Sequence, residues 1–99
     1  TLPFLAQGAN MALEDAAVMG RCLSAASSVT EAFTRFEAVR WQRTADIVNR
    51  SRDNASRFHN PQLADDAVAV AYVDREWQPE SVRRRYDWLF EYDPLGVPL

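Results

Sequence analysis

Four stretches of the chain carry apolar residues at helical spacing, and no stretch makes a reliable strand. The first runs from about Ala9 to Ala25. Its apolar residues fall nearly all round the helix, with Ala9, Ala12, Leu13, Ala16 and Leu23 on one side and Met11, Val18 and Cys22 on another. A helix apolar on most sides is expected to be buried in something larger. Its small residues, with Gly20 in line, would let another backbone approach closely. Asp15 is the odd residue, set among Met11, Met19 and Cys22. A carboxylate in such a setting needs a cation or several donors. Glu14 and Arg21 fall on the remaining polar strip and call for no special account.

Ser24 to Val29 reads as a small-residue connection. Thr30 is the expected N-cap of a second helix, which has Phe33 as its first apolar anchor and runs to about Phe58. Phe33, Phe36, Ile47 and Phe58 share one face, and Arg40 and Thr44 lie on the same face. An arginine inside an apolar stripe is expected to be paired, and Asp15 is the preferred partner. That pair would join the first two helices. His59-Asn60-Pro61 ends the second helix, because proline removes a donor and restricts the residue before it. A third helix is expected over Gln62 to Trp77, with Val68, Ala71, Tyr72 and Arg75 facing one way. Pro79 fits the first turn of a last short helix carrying Tyr86, Trp88, Leu89 and Phe90. Residues Asp93 to Leu99 read as an extended tail. The chain is therefore expected to be mainly α.

Ninety-nine residues suit at most one small domain, and an apolar fraction of 47% is ordinary for a globular chain. The net charge of −3 argues against a nucleic-acid surface. Cys22 is the only cysteine and cannot form an internal disulfide, which fits a reducing, cytoplasmic setting. No apolar run approaches the roughly 20 residues that cross a bilayer. His59 is the sole histidine. Its place at a helix end favours a surface or capping role over catalysis, since a base must first reach its proton. Asp65-Asp66 and Glu14-Asp15 lack the ligand spacing of a metal site, so no metal is expected. Cys22 reads as buried, Arg83-Arg84-Arg85 as a solvated face, and Tyr86, Trp88 and Phe90 as packing.

The richest local chemistry is at Thr1 to Asp15: an apolar loop, a glycine turn, then a helix start. Gly8 can take backbone angles that other residues avoid, and it lets a ligand approach the main chain. Asn10 suits the first turn, where its side chain can accept from a free amide. The neighbouring amides have no partner within the helix, and the helix dipole adds partial positive charge. Such a loop receives something electron-rich.

This run closely resembles the second flavin motif of the FAD-dependent aromatic hydroxylases, the single-component group that includes salicylate hydroxylase and p-hydroxybenzoate hydroxylase. That motif places a proline a few residues before Gly-Gln-Gly-(Ala/Leu)-Asn-x-Ala-(Leu/Ile)-Glu-Asp-Ala. Pro3, Gln7, Gly8, Ala9, Asn10, Ala12, Leu13, Glu14, Asp15 and Ala16 match it, with Ala6 where glycine is often found. The family pattern Tyr/Phe-Glu-x-x-Arg-x-x-Arg is matched by Phe36, Glu37, Arg40 and Arg43. Trp88, Tyr92 and Asp93 resemble the close of salicylate-hydroxylase-like chains, less specifically.

The resemblance implies the C-terminal portion of an α/β FAD-binding hydroxylase fold. The Rossmann-like N-terminal part is absent here: Gly8, Gly20 and Gly96 make no G-x-G-x-x-G. It implies a division into residues 1–29, the flavin-motif loop and buried helix, and residues 30–99, a C-terminal helical region and tail. The backbone amides of Gly8, Ala9, Asn10 and Met11 would meet the pyrimidine edge of the flavin. Pro3, Phe4 and Leu5 would line the substrate pocket, although Phe4 fits a plain core position almost as well. The implied partners are the remainder of the enzyme, an aromatic acid or phenol, O2, and NADH or NADPH, with a homodimer left open. No catalytic residue is expected in this stretch, which alone would be inactive. The rival reading is a free-standing helical interaction module with no catalytic activity, binding through its aromatic-rich C-terminal part. It predicts a compact chain.

Overall fold

The helix boundaries follow from side chains that take up free amides. Ser28, not Thr30, starts the long second helix: its Oγ accepts from the Glu31 amide at 3.1 Å. Glu31 reaches back to accept from the Ser27 amide at 2.8 Å and the Ser27 hydroxyl at 2.6 Å. These contacts tie the connection to the helix start, as in a capping box. Asp65 caps the third helix through its contact with the Val68 amide, 3.1 Å away. Asn60 caps a separate 3-10 turn over Pro61–Ala64. The expected helix from Gln62 is therefore split, because two capping side chains, Asn60 and Asp65, open two different elements.

The computed structural model describes residues 2–99. Its helices are α1 (Gly8–Ala25), α2 (Val29–Phe58), α3 (Asp66–Glu76) and α4 (Pro79–Phe90), with a further 3-10 turn over Pro3–Leu5. The described residues form no strand. Pro79 opens α4, where a missing N–H costs nothing. No helix among the described residues is long and apolar enough to cross a membrane.

The turn before α1 is made at Ala6, not at Gly8. Ala6 has φ 52° and ψ 34°, and it is the only described non-glycine residue with positive φ; no glycine has one. The Ala6 amide donates to the Pro3 carbonyl at 2.9 Å and closes the 3-10 turn. A Cβ in left-handed backbone costs roughly 1–2 kcal/mol. Ala6→Gly is expected to hold stability constant or raise it by up to about 1 kcal/mol, since glycine also gives the unfolded chain more freedom. Ala6→Val is expected to lower stability by about 1–3 kcal/mol, because a branched residue is worse still in this region. Thermal melts of the two variants against the parent check both signs.

α1 packs on α2 around Val18, Cys22 and Ala32, with Ala26, Phe36, Val39 and Val97 against them. This small core spans the division expected at residue 29. Val97 arrives there because the tail turns back. The Gly96 and Val97 amides both bond the Asp93 carbonyl, and Arg21 donates to the carbonyls of Pro94 and Val97 at 2.8 Å each. The tail is thus a turn held by Arg21, where an extended segment and an idle arginine were expected.

α1 buries only Val18 and Cys22 within this chain. Leu13 is 70% exposed and Leu23 49%, and Ala9, Ala12 and Ala16 are exposed beside them. The face expected to be buried is open here. On α2, Ile47 is fully buried, whereas Phe33 and Phe58 are more than half exposed. The chain measures 61 × 22 × 17 Å with a radius of gyration of 17.6 Å. A compact chain of this length would have about 13 Å. The compact body required by a free-standing module is not what these helices build.

Candidate functional site

The loop that enters α1 is fixed from two sides. On its inner side Leu5 and Gln7 are buried. Gln7 Nε2 donates to the Leu5 carbonyl at 3.2 Å, and its Oε1 accepts from Asn10 Nδ2 at 3.2 Å. Asn10 therefore braces the first turn by donating; its side chain is not an amide acceptor. From α2, Asn54 Nδ2 donates to the Phe4 carbonyl at 3.0 Å and lies 3.3 Å from the Tyr86 hydroxyl. Arg57 Nη1 donates to Asn54 Oδ1 at 2.6 Å and fixes its orientation. Buried Asn54 was not anticipated. The only hint in the sequence is an amide one turn before Arg57 on an otherwise ordinary helix face.

This bracing presents a row of amides. Gly8, Ala9 and Asn10 are exposed, and their N–H groups have no backbone partner among the described residues. The Met11 amide differs, because it donates to the Gln7 carbonyl at 2.8 Å. Of the four amides expected to be offered to a ligand, three are free and the fourth begins the helical ladder. A Cβ placed on Gly8 would meet nothing within 4 Å. The site can thus receive a flat or anionic edge directly against the main chain, at the positive end of an 18-residue helix.

The three residues expected in a substrate pocket diverge. Pro3 is exposed, and Phe4 is half-buried. The Phe4 ring stacks on Phe58 at 6.0 Å and meets His59 edge-on at 5.6 Å. Leu5 turns inward to a polar cavity of about 190 Å³ beside Arg50 and Asn54, not to an apolar one. His59 serves as a packing surface for Phe4. Cys22 is buried and free. No group of described residues could hold a metal ion.

Behind the loop, four charged side chains lock α1 to α2. Arg40 Nε lies 2.6 Å from Asp15 Oδ1, and Arg40 Nη1 lies 2.9 Å from Glu14 Oε2. Arg43 Nη2 lies 2.8 Å from Glu14 Oε1. Arg43 also donates to the carbonyls of Trp88 and Leu89, and its guanidinium lies 4.3 Å from the centre of the Tyr92 ring. Glu14 is the buried acid, with a side chain 12% exposed, whereas that of Asp15 is 40% exposed. The expectation was the reverse. Leu13 and Ala16, on the far side of α1, face outward, and this turns Glu14 toward α2.

Burial alone would raise the Glu14 carboxyl, but hydrogen bonds from Arg43 and Arg40 outweigh it and hold it below the usual range. Burial would likewise lower Arg40, but its interactions with Asp15, Tyr92 and Glu14 together outweigh that and raise it. A depressed carboxyl contributes stability above its unfolded value, and that stability is lost as pH falls through the folded one. The stability conferred by Glu14 is therefore expected to be full above about pH 5 and to decline below it. Glu14→Gln should flatten that acid limb in urea titrations run between neutral and acidic pH. An unchanged slope would show that Glu14 is not held ionised.

Elsewhere, the Arg85 side chain is largely buried and donates to the Glu76 carbonyl, so only Arg83 and Arg84 fit the expected solvated face. Trp88 and Tyr86 pack, but Phe90 is 74% exposed.

Several relatives are similar to this chain, three of them as follows. It is 45% identical over 62 residues to 3-amino-4-hydroxybenzoate 2-monooxygenase of Streptomyces cremeus, covering 62% of the chain and 16% of that protein. It is 33% identical over 106 residues to FAD-dependent monooxygenase OpS4 of Beauveria bassiana, covering 97% of the chain and 25% of that protein. It is 36% identical over 98 residues to 3-amino-4-hydroxybenzoate 2-monooxygenase PtnB3 of Streptomyces platensis, covering 96% of the chain and 24% of that protein. No family model matches the chain, and no solved structure matches it significantly. The chain belongs to the FAD-dependent aromatic hydroxylase family, and it spans a quarter or less of the length of these relatives.

Proposed function

We propose that these residues are the C-terminal part of an FAD-dependent monooxygenase that hydroxylates an aromatic acid or phenol with O2, using NADH or NADPH as reductant. Residues 1–29 belong to its flavin-binding domain and residues 30–99 to its C-terminal helical region, in a cytoplasmic enzyme. The observation that carries this reading is the row of free, exposed amides at Gly8, Ala9 and Asn10, lying within the run of residues that matches the family motif. The open apolar face of α1 supports it as well, since the remainder of a larger enzyme would cover that face.

The residues fit the flavin. When bound, FAD supplies the redox chemistry of oxygen insertion. The chain's own share is to hold the ring edge: fixed N–H donors at a helix N-terminus stabilise negative charge there without reorganising. Gln7 and Asn10 keep that helix turn rigid, and Asn54 keeps the Phe4 carbonyl in place. Pro3 and Phe4 stand next to the amides and form one wall of an aromatic pocket completed by other parts of the enzyme. His59 and Cys22 take no part in the reaction. The isolated stretch is inactive.

The test is the visible absorption spectrum of the purified full-length protein. A flavin spectrum is expected, with FAD released on denaturation. A colourless protein that gains no flavin spectrum on addition of FAD would overturn the proposal.

A further inference from the structure

Every basic residue of this acidic chain is an arginine. Five of the eleven line one open cleft of about 360 Å³: Arg50 and Arg57 from α2, Arg75 from α3, and Arg84 and Arg85 from α4, with Glu76 among them. Arg50, Arg57 and Arg85 also border the adjoining cavity, where Asp53 is the acid. Two carboxylates thus face five guanidinium groups, in a chain whose net charge is −3.

Glu76 is shared out thinly. Its Oε2 lies 3.2 Å from Arg85 Nη2 and 3.7 Å from Arg57 Nε, and its Oε1 lies 3.9 Å from Arg75 Nε. Arg84 makes no ion pair among the described residues. The side chain of Arg85 is only 10% exposed, yet its Nη1 is buried without a hydrogen-bond partner among the described residues. A buried donor left unpaired is costly, and one on a charged group more so. An anion in the cleft would add to the counter-charge that Glu76 alone spreads over Arg57, Arg75 and Arg85.

The geometry points to an anion site: the cleft between α2, α3 and α4 binds a small molecule bearing phosphate groups, held by Arg57, Arg75, Arg84 and Arg85. Guanidinium forks match phosphate oxygens, and several converging forks favour a multiply charged anion over a single carboxylate. The cleft shares no lining residue with Gly8 to Asn10, and the assignment does not rest on the flavin reading.

The experiment is calorimetric titration of the full-length protein with inorganic pyrophosphate at fixed ionic strength, with succinate as the dicarboxylate comparison. Saturable pyrophosphate binding is expected, at least tenfold tighter than succinate and weakening as salt rises. In the double variant Arg75→Gln, Arg84→Gln, binding should fall at least tenfold with an unchanged melting temperature, since Arg84 is exposed and Arg75 is 65% exposed. That comparison separates this cleft from any other phosphate site on the protein. Absent saturation, undiminished binding by the double variant, or equal affinity for succinate would each overturn the assignment.

Discussion

Replacing Glu14 with alanine is expected to lower the unfolding free energy by about 3–5 kcal/mol, whereas Asp15→Ala should cost about 1 kcal/mol. The difference comes from what each change leaves behind. Glu14 is the shared partner of Arg40 and Arg43, whose side chains are only 2% and 7% exposed. Without it, Arg43 keeps two carbonyl acceptors but no counter-charge, and Arg40 keeps Asp15 as its one anion, beside the Tyr92 ring. Two guanidinium groups would stay in the interior, one with no anion and the other with a half-exposed one. Asp15 can be lost more cheaply, because Arg40 retains Glu14 and water reaches the vacated place. Urea titrations of the two single variants check the order. Equal effects, or a Glu14 effect below about 1 kcal/mol, would mean that the two arginines find other partners and that Glu14 is not the lock between α1 and α2.

Gly8→Val is expected to weaken FAD binding by the full-length protein at least tenfold, about 1.4 kcal/mol, with little change in the melting temperature of the flavin-free protein. The two outcomes separate because Gly8 faces open space. Its backbone lies outside the positive-φ region, and an added Cβ would meet nothing within 4 Å. The fold does not need a glycine here, so any requirement for one comes from a ligand that touches the main chain. A branched side chain would hold a flat ring away from the amides of Gly8 and Ala9, and hydrogen bonds weaken steeply with such displacement. Equilibrium dialysis with FAD, alongside thermal melts, gives both readings. Undiminished affinity would show that these amides do not meet the flavin.

Much of this was legible in the residues. The helical periods gave four helices, and Pro61 and Pro79 marked two of the breaks. The spacing of Asp15 and Arg40 on two apolar stripes brought those side chains together. Glu14 was less legible, because a helical wheel cannot tell which of two adjacent acids turns toward a neighbour not yet placed. The signal available was Arg40 and Arg43, one turn apart on α2, which together call for more than one anion. The start of α2 was misjudged by two residues and that of α3 by four, where more than one capping side chain competed, as with Ser28 and Thr30.

The sequence by itself determined the helical character, the run Gln7 to Ala16 that marks the family, and the presence of free amides at a helix start. Each of these depends on local chemistry: period, backbone freedom, and donors that no preceding turn can satisfy. Only the tertiary structure decided that Ala6 carries the positive φ, that Glu14 is the buried acid, that Asn54 holds the Phe4 carbonyl, and that five arginines from three helices share one cleft. Apart from Ala6, those facts join residues as far apart as the 29 positions between Glu14 and Arg43 and the 50 between Phe4 and Asn54, or depend on which face a neighbour covers, and no local pattern encodes either.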